Sequence, residues 1–237
     1  MHIADIDYLS IYGDSPIHKI TATAKVIFSL LLLTSIILSA SLIKLALISI
    51  LLIALYKKAN LSLSIARIAI YPAFFAIIFA LLMSRQGITH SFIVMFKAVN
   101  AALTMIFLIT TTPYVEIFSI MGKFLPNLLV DVFLITYRSF FILLEKISNL
   151  LRTVKVKGGY RPHNFVTNIK TIAAVLGTLI LQAIDMSERM YKILELRGYN
   201  GKIPVEANFK ISQKADYILI VGGLIILIGV ILPWNIL

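Results

Sequence analysis

The fold class predicted by this sequence is an all-α polytopic membrane protein, with about five transmembrane helices and a cytoplasmic helical module. Three observations predict it. Of 237 residues, 59% are apolar, and the mean hydropathy is +0.95, outside the range of soluble globular chains. Apolar runs close to membrane-spanning length recur along the chain. Two amphipathic stretches, by contrast, carry charge at helical spacing and end alike, in an apolar residue, a cation and a glycine.

Taken in order, residues 1–25 are polar and contain the turn signal Gly13-Asp14-Ser15-Pro16. Asp5, Asp7 and Asp14 precede the first apolar run, where a cleavable signal would carry positive charge, so none is expected. Val26 to Ile43 is uncharged and Leu45 to Tyr56 continues the apolar character. We read two short spans turning near Ser39-Ala40-Ser41, with Lys25, Lys57 and Lys58 snorkelling at their ends. One long tilted span is the competing reading. Ala69 to Ser84 and Ser91 to Thr110 follow, joined by a turn at Arg85-Gln86-Gly87. Lys97 falls inside the fourth span but close enough to its end to snorkel.

After Pro113 charged residues reappear, among them Glu116, Lys123, Asp131 and Arg138. From Phe140 the pattern is amphipathic, with Leu143, Ile147, Leu150 and Val154 on one face, and it ends at Lys157-Gly158-Gly159. A loop with Pro162 leads to a second long helix from about Asn168 to Arg197. That helix should stop at Gly198, because glycine tolerates the left-handed backbone of a C-terminal cap, and Arg197 suits the negative end of the helix dipole. A polar linker containing Pro204 runs to 216, and Tyr217 to Leu237 is a last uncharged stretch. The expected organisation is a tail with four spans over 1–112, cytoplasmic helices over 113–214 and a final span over 215–237.

Charge sets the expected orientation. Placing 1–25, 57–68 and 111–216 in the cytoplasm puts 19 of the 22 Lys and Arg there, as the positive-inside bias requires. The formal charge of +11 therefore reads as cytoplasmic loop charge rather than nucleic-acid binding. The absence of Cys excludes disulfides and cysteine catalysis. The histidines at 2, 18, 90 and 163 share no ligand spacing, and no carboxylate pair lies inside a span, which argues against a metal or acid–base enzyme. No Gly-x4-Gly-Lys-Ser/Thr phosphate loop is present, so no ATP site is expected.

The repeated ending carries the most information. Val156-Lys157-Gly158 and Leu196-Arg197-Gly198 close consecutive amphipathic helices, with Arg152, Lys155 and Glu195 beside them. Either alone is ordinary C-capping. The pair suits two equivalent contacts with a partner that is itself a pair of similar subunits.

At this point the chain resembles a known family, the transmembrane T component of energy-coupling factor transporters, of the CbiQ/EcfT type. The segment Gly13-Asp14-Ser15-Pro16-Ile17-His18-Lys19-Ile20 with Lys25 is similar to the family's S-x-x-H-R-L-D-P-R-x-K stretch, although Thr21-Ala22-Thr23 stands where the family has Asp-Pro-Arg. Thr111-Thr112-Pro113 resembles its T-T-P segment, and Tyr137-Arg138 through Leu144-Glu145 its R-F/Y…L-x-E helix. Leu196-Arg197-Gly198-Tyr199-Asn200-Gly201 matches the second coupling motif, A-R-G-Y-x-G, with Leu196 for Ala. Val156-Lys157-Gly158 matches the first, with Val for Ala and Lys for Arg. Lysine lacks arginine's planar fork, so a cationic contact is kept and a bidentate one is not.

The resemblance implies a non-catalytic coupling subunit in a prokaryotic plasma membrane. Its partners would be two ABC ATPases, which use the ATP, and a substrate-binding S component in the bilayer. The chain itself would bind no cofactor. The cargo would be a vitamin or a transition-metal ion such as cobalt or nickel, chosen by the S component. A self-contained secondary transporter is the alternative.

Overall fold

The computed structural model describes residues 9–60, 70–83, 87–159, 165–203 and 214–232. Asp5, Asp7, Arg67, Arg85, Pro162 and Pro204 lie outside the described residues, as do His2 and His163. The described chain is helical: α1 (Ala22–Leu38), α2 (Leu42–Lys58), α3 (Ile70–Met83), α4 (Ile88–Thr111), α5 (Tyr114–Met121), α6 (Asn127–Val156), α7 (Phe165–Leu196) and α8 (Lys214–Ile231). Of these, α4, α6, α7 and α8 are long and apolar enough to cross a membrane, while α1 and α3 are shorter apolar helices. The fold is an all-α polytopic membrane protein. It divides into two compact units, Met1–Ile120 with Glu206–Leu237, and Met121–Val205.

In the first unit α1 packs against both α8 and α4, while α2 and α3 each pack on α4. Phe28, Leu32 and Ile36 of α1 recur every fourth residue and are buried, as are Leu45, Ile48 and Leu52 of α2. The opposite faces stay apolar and exposed, for example Ile37 and Leu47, as helices in a lipid solvent require. Apolar burial gives little drive between helices in lipid, so packing and polar pairs carry the association. Asn100 is fully buried on α4 and supplies two such pairs. Its Nδ2 donates to the Leu45 carbonyl at 3.1 Å, and its Oδ1 accepts from the Ser49 hydroxyl at 2.8 Å. Tyr56 Oη donates to the Leu103 carbonyl at 2.9 Å.

The first apolar region is two helices, as read, and not one long span. Ser39 and Ser41 hold extended backbone between α1 and α2. Serine competes for backbone partners and favours such breaks. Lysines finish the helix ends. Lys97 Nζ donates to the Ile37 carbonyl at the end of α1 (2.8 Å), and Lys44 Nζ to the Val230 and Leu232 carbonyls at the end of α8 (2.7 and 2.9 Å). Each ammonium thus meets the negative end of a helix.

The second unit is built on α6 and α7, of 30 and 32 residues, or about 45 Å and 48 Å each. The amphipathic helix read from Phe140 begins earlier, at Asn127, because the apolar stretch before it continues the same helix. The two helices run antiparallel. Thr171, in the second turn of α7, donates its hydroxyl to the Gly159 carbonyl just past the end of α6 (3.1 Å). At the other end, Tyr199, just past α7, reaches Asp131 in the second turn of α6.

Candidate functional site: two matched helix tips

The ends of α6 and α7 share one backbone design. In α6 the Gly158 N–H donates to the Lys155 carbonyl (3.2 Å) and the Gly159 N–H to the Val154 carbonyl (2.9 Å). In α7 the Gly198 N–H donates to the Glu195 carbonyl (2.9 Å) and the Tyr199 N–H to the Leu194 carbonyl (3.0 Å). These are paired 5→2 and 6→1 bonds, the Schellman arrangement that satisfies orphan carbonyls at a helix end. It requires a left-handed residue, and Gly158 and Gly198 supply it at φ +72° and +71°.

The side chains that this turn presents are also matched. Val156 is 82% exposed and Leu196 87% exposed, and Lys157 and Arg197 follow them, exposed, at the tip. Arg152, Lys155 and Glu195 are exposed alongside. Among the described residues neither tip cation has an ion-pair partner. A bulky aliphatic side chain almost fully in solvent next to an unpaired cation is a surface suited to a partner with an apolar pocket and acidic groups. Because the helices are antiparallel, the tips lie at opposite ends of the pair. The 26 residues from Thr171, which touches the first tip, to Arg197 span about 39 Å of helix.

The second tip has a support that the sequence did not single out. Asp131 is buried at 3% exposure. Its Oδ2 accepts the Tyr199 hydroxyl at 2.7 Å and its Oδ1 the Ile203 N–H at 3.1 Å. The hydrogen bond to Asp131 pushes the Tyr199 phenol above its ordinary range, with its partial burial and the Asp131 charge adding to the effect. The only signal in the sequence was a lone carboxylate within an apolar helical stretch.

In the first unit, two segments compared with the family meet in space. Lys25 was read as snorkelling, but it is 1% exposed. Its Nζ donates to the Thr111 carbonyl at 2.7 Å and the His18 carbonyl at 3.2 Å. These acceptors, with the Glu116 and Asp216 charges acting on it, offset part of the cost of burying it. Asp216 is itself buried and accepts the Thr21 N–H at 2.9 Å, at the N-terminus of α1. His18 Nε2 donates to the Thr110 carbonyl (3.3 Å), so its Nδ1 accepts from the Ser15 hydroxyl (2.6 Å). Burial lowers the His18 pKa from its ordinary 6.5. The Thr110 carbonyl opposes this and the Lys25 charge adds to it, so the ring is neutral at pH 7.

A family model described as CbiQ, cobalt transport protein, matches residues 13–208. An uncharacterized protein of Methanocaldococcus jannaschii is 26% identical over 139 residues, which are 58% of this chain and 51% of that one. The chain thus spans about half the length of that curated relative. The family match takes in both helix tips, Asp131, and the bridge from Lys25 to Thr111. On that match the chain belongs to the CbiQ family of cobalt transport proteins.

Proposed function

We propose that this membrane transport protein is the coupling subunit of an ATP-driven importer. In this reading it links two ABC ATPases to a substrate-binding membrane subunit and carries cobalt, nickel or a vitamin inward without binding ATP itself. The observation that carries the reading is the matched pair of tips. Val156-Lys157-Gly158 and Leu196-Arg197-Gly198 end their helices in the same turn, with the same exposed aliphatic–cation order. Two like contacts about 39 Å apart suit a dimer of ATPases, one tip to each subunit.

The physics of docking is apolar burial at Val156 and Leu196 with charge pairing at Lys157 and Arg197. A charge-assisted hydrogen bond from either cation contributes about 1.5–3 kcal/mol. Arg197 offers a planar fork for a carboxylate, while Lys157 offers a single point charge. Antiparallel α6 and α7 then act as a lever whose ends follow the two ATPases as these close on ATP and reopen. The bias of Lys and Arg toward 1–25, 57–68 and 111–216 supports a cytoplasmic module and N-terminus in a prokaryotic cell.

The test is co-purification. The tagged chain is expressed with its candidate ABC ATPases and solubilised, beside the double variant Lys157→Glu, Arg197→Glu. The ATPases should accompany the natural chain and be lost from the variant, which should still reach the membrane. Uptake should vanish with Arg197→Glu alone. Normal uptake by Arg197→Glu, or substrate flux through the purified chain without ATPases, would overturn the assignment in favour of a self-contained transporter.

A further inference from the structure

Between α2 and α8 the first unit carries an apolar groove that the coupling role does not use. Two cavities of about 370 and 280 Å³ lie along it and share Leu51 and Ile226. Leu47 and Ile48 wall one, and Leu55 and Leu219 the other. On α8 the positions Gly222, Ile226 and Gly229 fall on one face, at spacings of four and three. A Cβ added at Gly222 or Gly229 would meet nothing within 4 Å, so the two glycines leave the slot open rather than seat a neighbouring helix.

The ends of the slot are not alike. Lys44 lines one end, but its ammonium is engaged by the two carbonyls that finish α8. Lys58 lines the other end and is exposed. Exposed Lys19 and Lys214 stand next in sequence to Ile20 and Ala215, which also line that end. The 14 residues from Lys44 to Lys58 span about 21 Å of helix, longer than the ~15 Å of one leaflet's hydrocarbon. The two cavities meet at Leu51 and Ile226 and together form an elongated apolar slot, the shape that an extended alkyl chain fills. Basic clusters at the membrane end of a cleft between helices recruit anionic head groups.

We propose that this groove holds one acyl chain of an anionic phospholipid, whose phosphate rests on Lys58, Lys19 and Lys214. The lipid belongs to the leaflet that meets this lysine-rich end. It stands in for the missing packing between α2 and α8 and fixes their spacing.

Native mass spectrometry of the full chain, released from detergent after exchange into phosphatidylglycerol or phosphatidylcholine of identical acyl chains, tests this. One phosphatidylglycerol should be retained per chain, and phosphatidylcholine should not. Neutralising Lys58 and Lys214 by glutamine should weaken retention about fivefold per lysine. Gly222→Leu fills the slot from its open wall and keeps a good helix former, so it should abolish retention with all lysines present. Gly229→Leu, further along the same face, serves where the first variant is not monodisperse. Equal retention of the two lipids would overturn the proposal. So would phosphatidylglycerol retention unchanged in Gly222→Leu, or loss of a co-purifying membrane protein in that variant without loss of lipid.

Discussion

Gly158 and Gly198 close two different helices with the same left-handed turn, at φ +72° and +71°, and each follows an exposed cation. Forty residues apart in sequence, they hold the two tips in one conformation. The turn, rather than the length of either side chain, sets where Lys157 and Arg197 point.

Replacing either glycine should therefore weaken coupling without touching a charge. An L-residue in left-handed backbone costs about 1–2 kcal/mol, while asparagine tolerates it better. Gly198→Ala should lower ATPase co-purification by about fivefold or more, with Gly198→Asn between it and the natural chain. Equal recovery of all three would show that the partner does not read the turn.

Asp131 should matter to the second tip and not to the first. Asp131→Ala removes the acceptor of both Tyr199 Oη and the Ile203 N–H, with the amide alone costing about 1 kcal/mol. Tyr199, whose phenol Asp131 holds above its ordinary range, should then ionise at lower pH, as read by ultraviolet difference titration. The sign follows from the raised folded value. The contribution is complete below the unfolded pKa of about 10 and is lost as pH rises through the folded one. A Tyr199 titration unchanged by Asp131→Ala would contradict the contact.

His18 predicts the opposite pH behaviour in the first unit. Its folded pKa lies below 6.5, so the unfolded chain binds more protons in the window beneath that value. Its contribution is complete above 6.5 and is lost as pH falls through the folded value. Thermal unfolding in detergent should show a midpoint that drops between pH 7.5 and 5.5, and His18→Gln should flatten that slope. A midpoint that rises with acidification would refute the neutral, Thr110-bonded ring.

Lys97 should prove dispensable for transport. It sits in an apolar helix, where an ionisable group invites a transport role, yet its ammonium finishes the C-terminus of α1 at the Ile37 carbonyl. Lys97→Ala should cost about 1 kcal/mol of stability through the lost cap and keep uptake near normal. Abolished uptake with normal folding would give Lys97 a part in the translocation path.

Much of the fold was legible because it is local. Apolar runs gave α3, α4 and the start of α8 within a few residues, and the serines at 39 and 41 placed the break between α1 and α2. The stop of α7 was readable at Gly198 because a glycine after a cation is a local solution to orphan carbonyls. The start of α6 at Asn127 was less visible, since its first turns are mostly apolar around the lone carboxylate of Asp131 and carry no clear helical period.

Residue patterns alone showed a helical membrane protein with two helices that end alike, in an apolar residue, a cation and a glycine. Tertiary structure alone decided which distant groups meet. Lys25 bonds Thr111 across 86 residues and Tyr199 bonds Asp131 across 68. Propensity and periodicity act over a few turns of one helix, whereas a buried charge finds its partner only when packing brings another helix to it. That is why Lys25, read as reaching for the membrane surface, is instead enclosed against the end of α4.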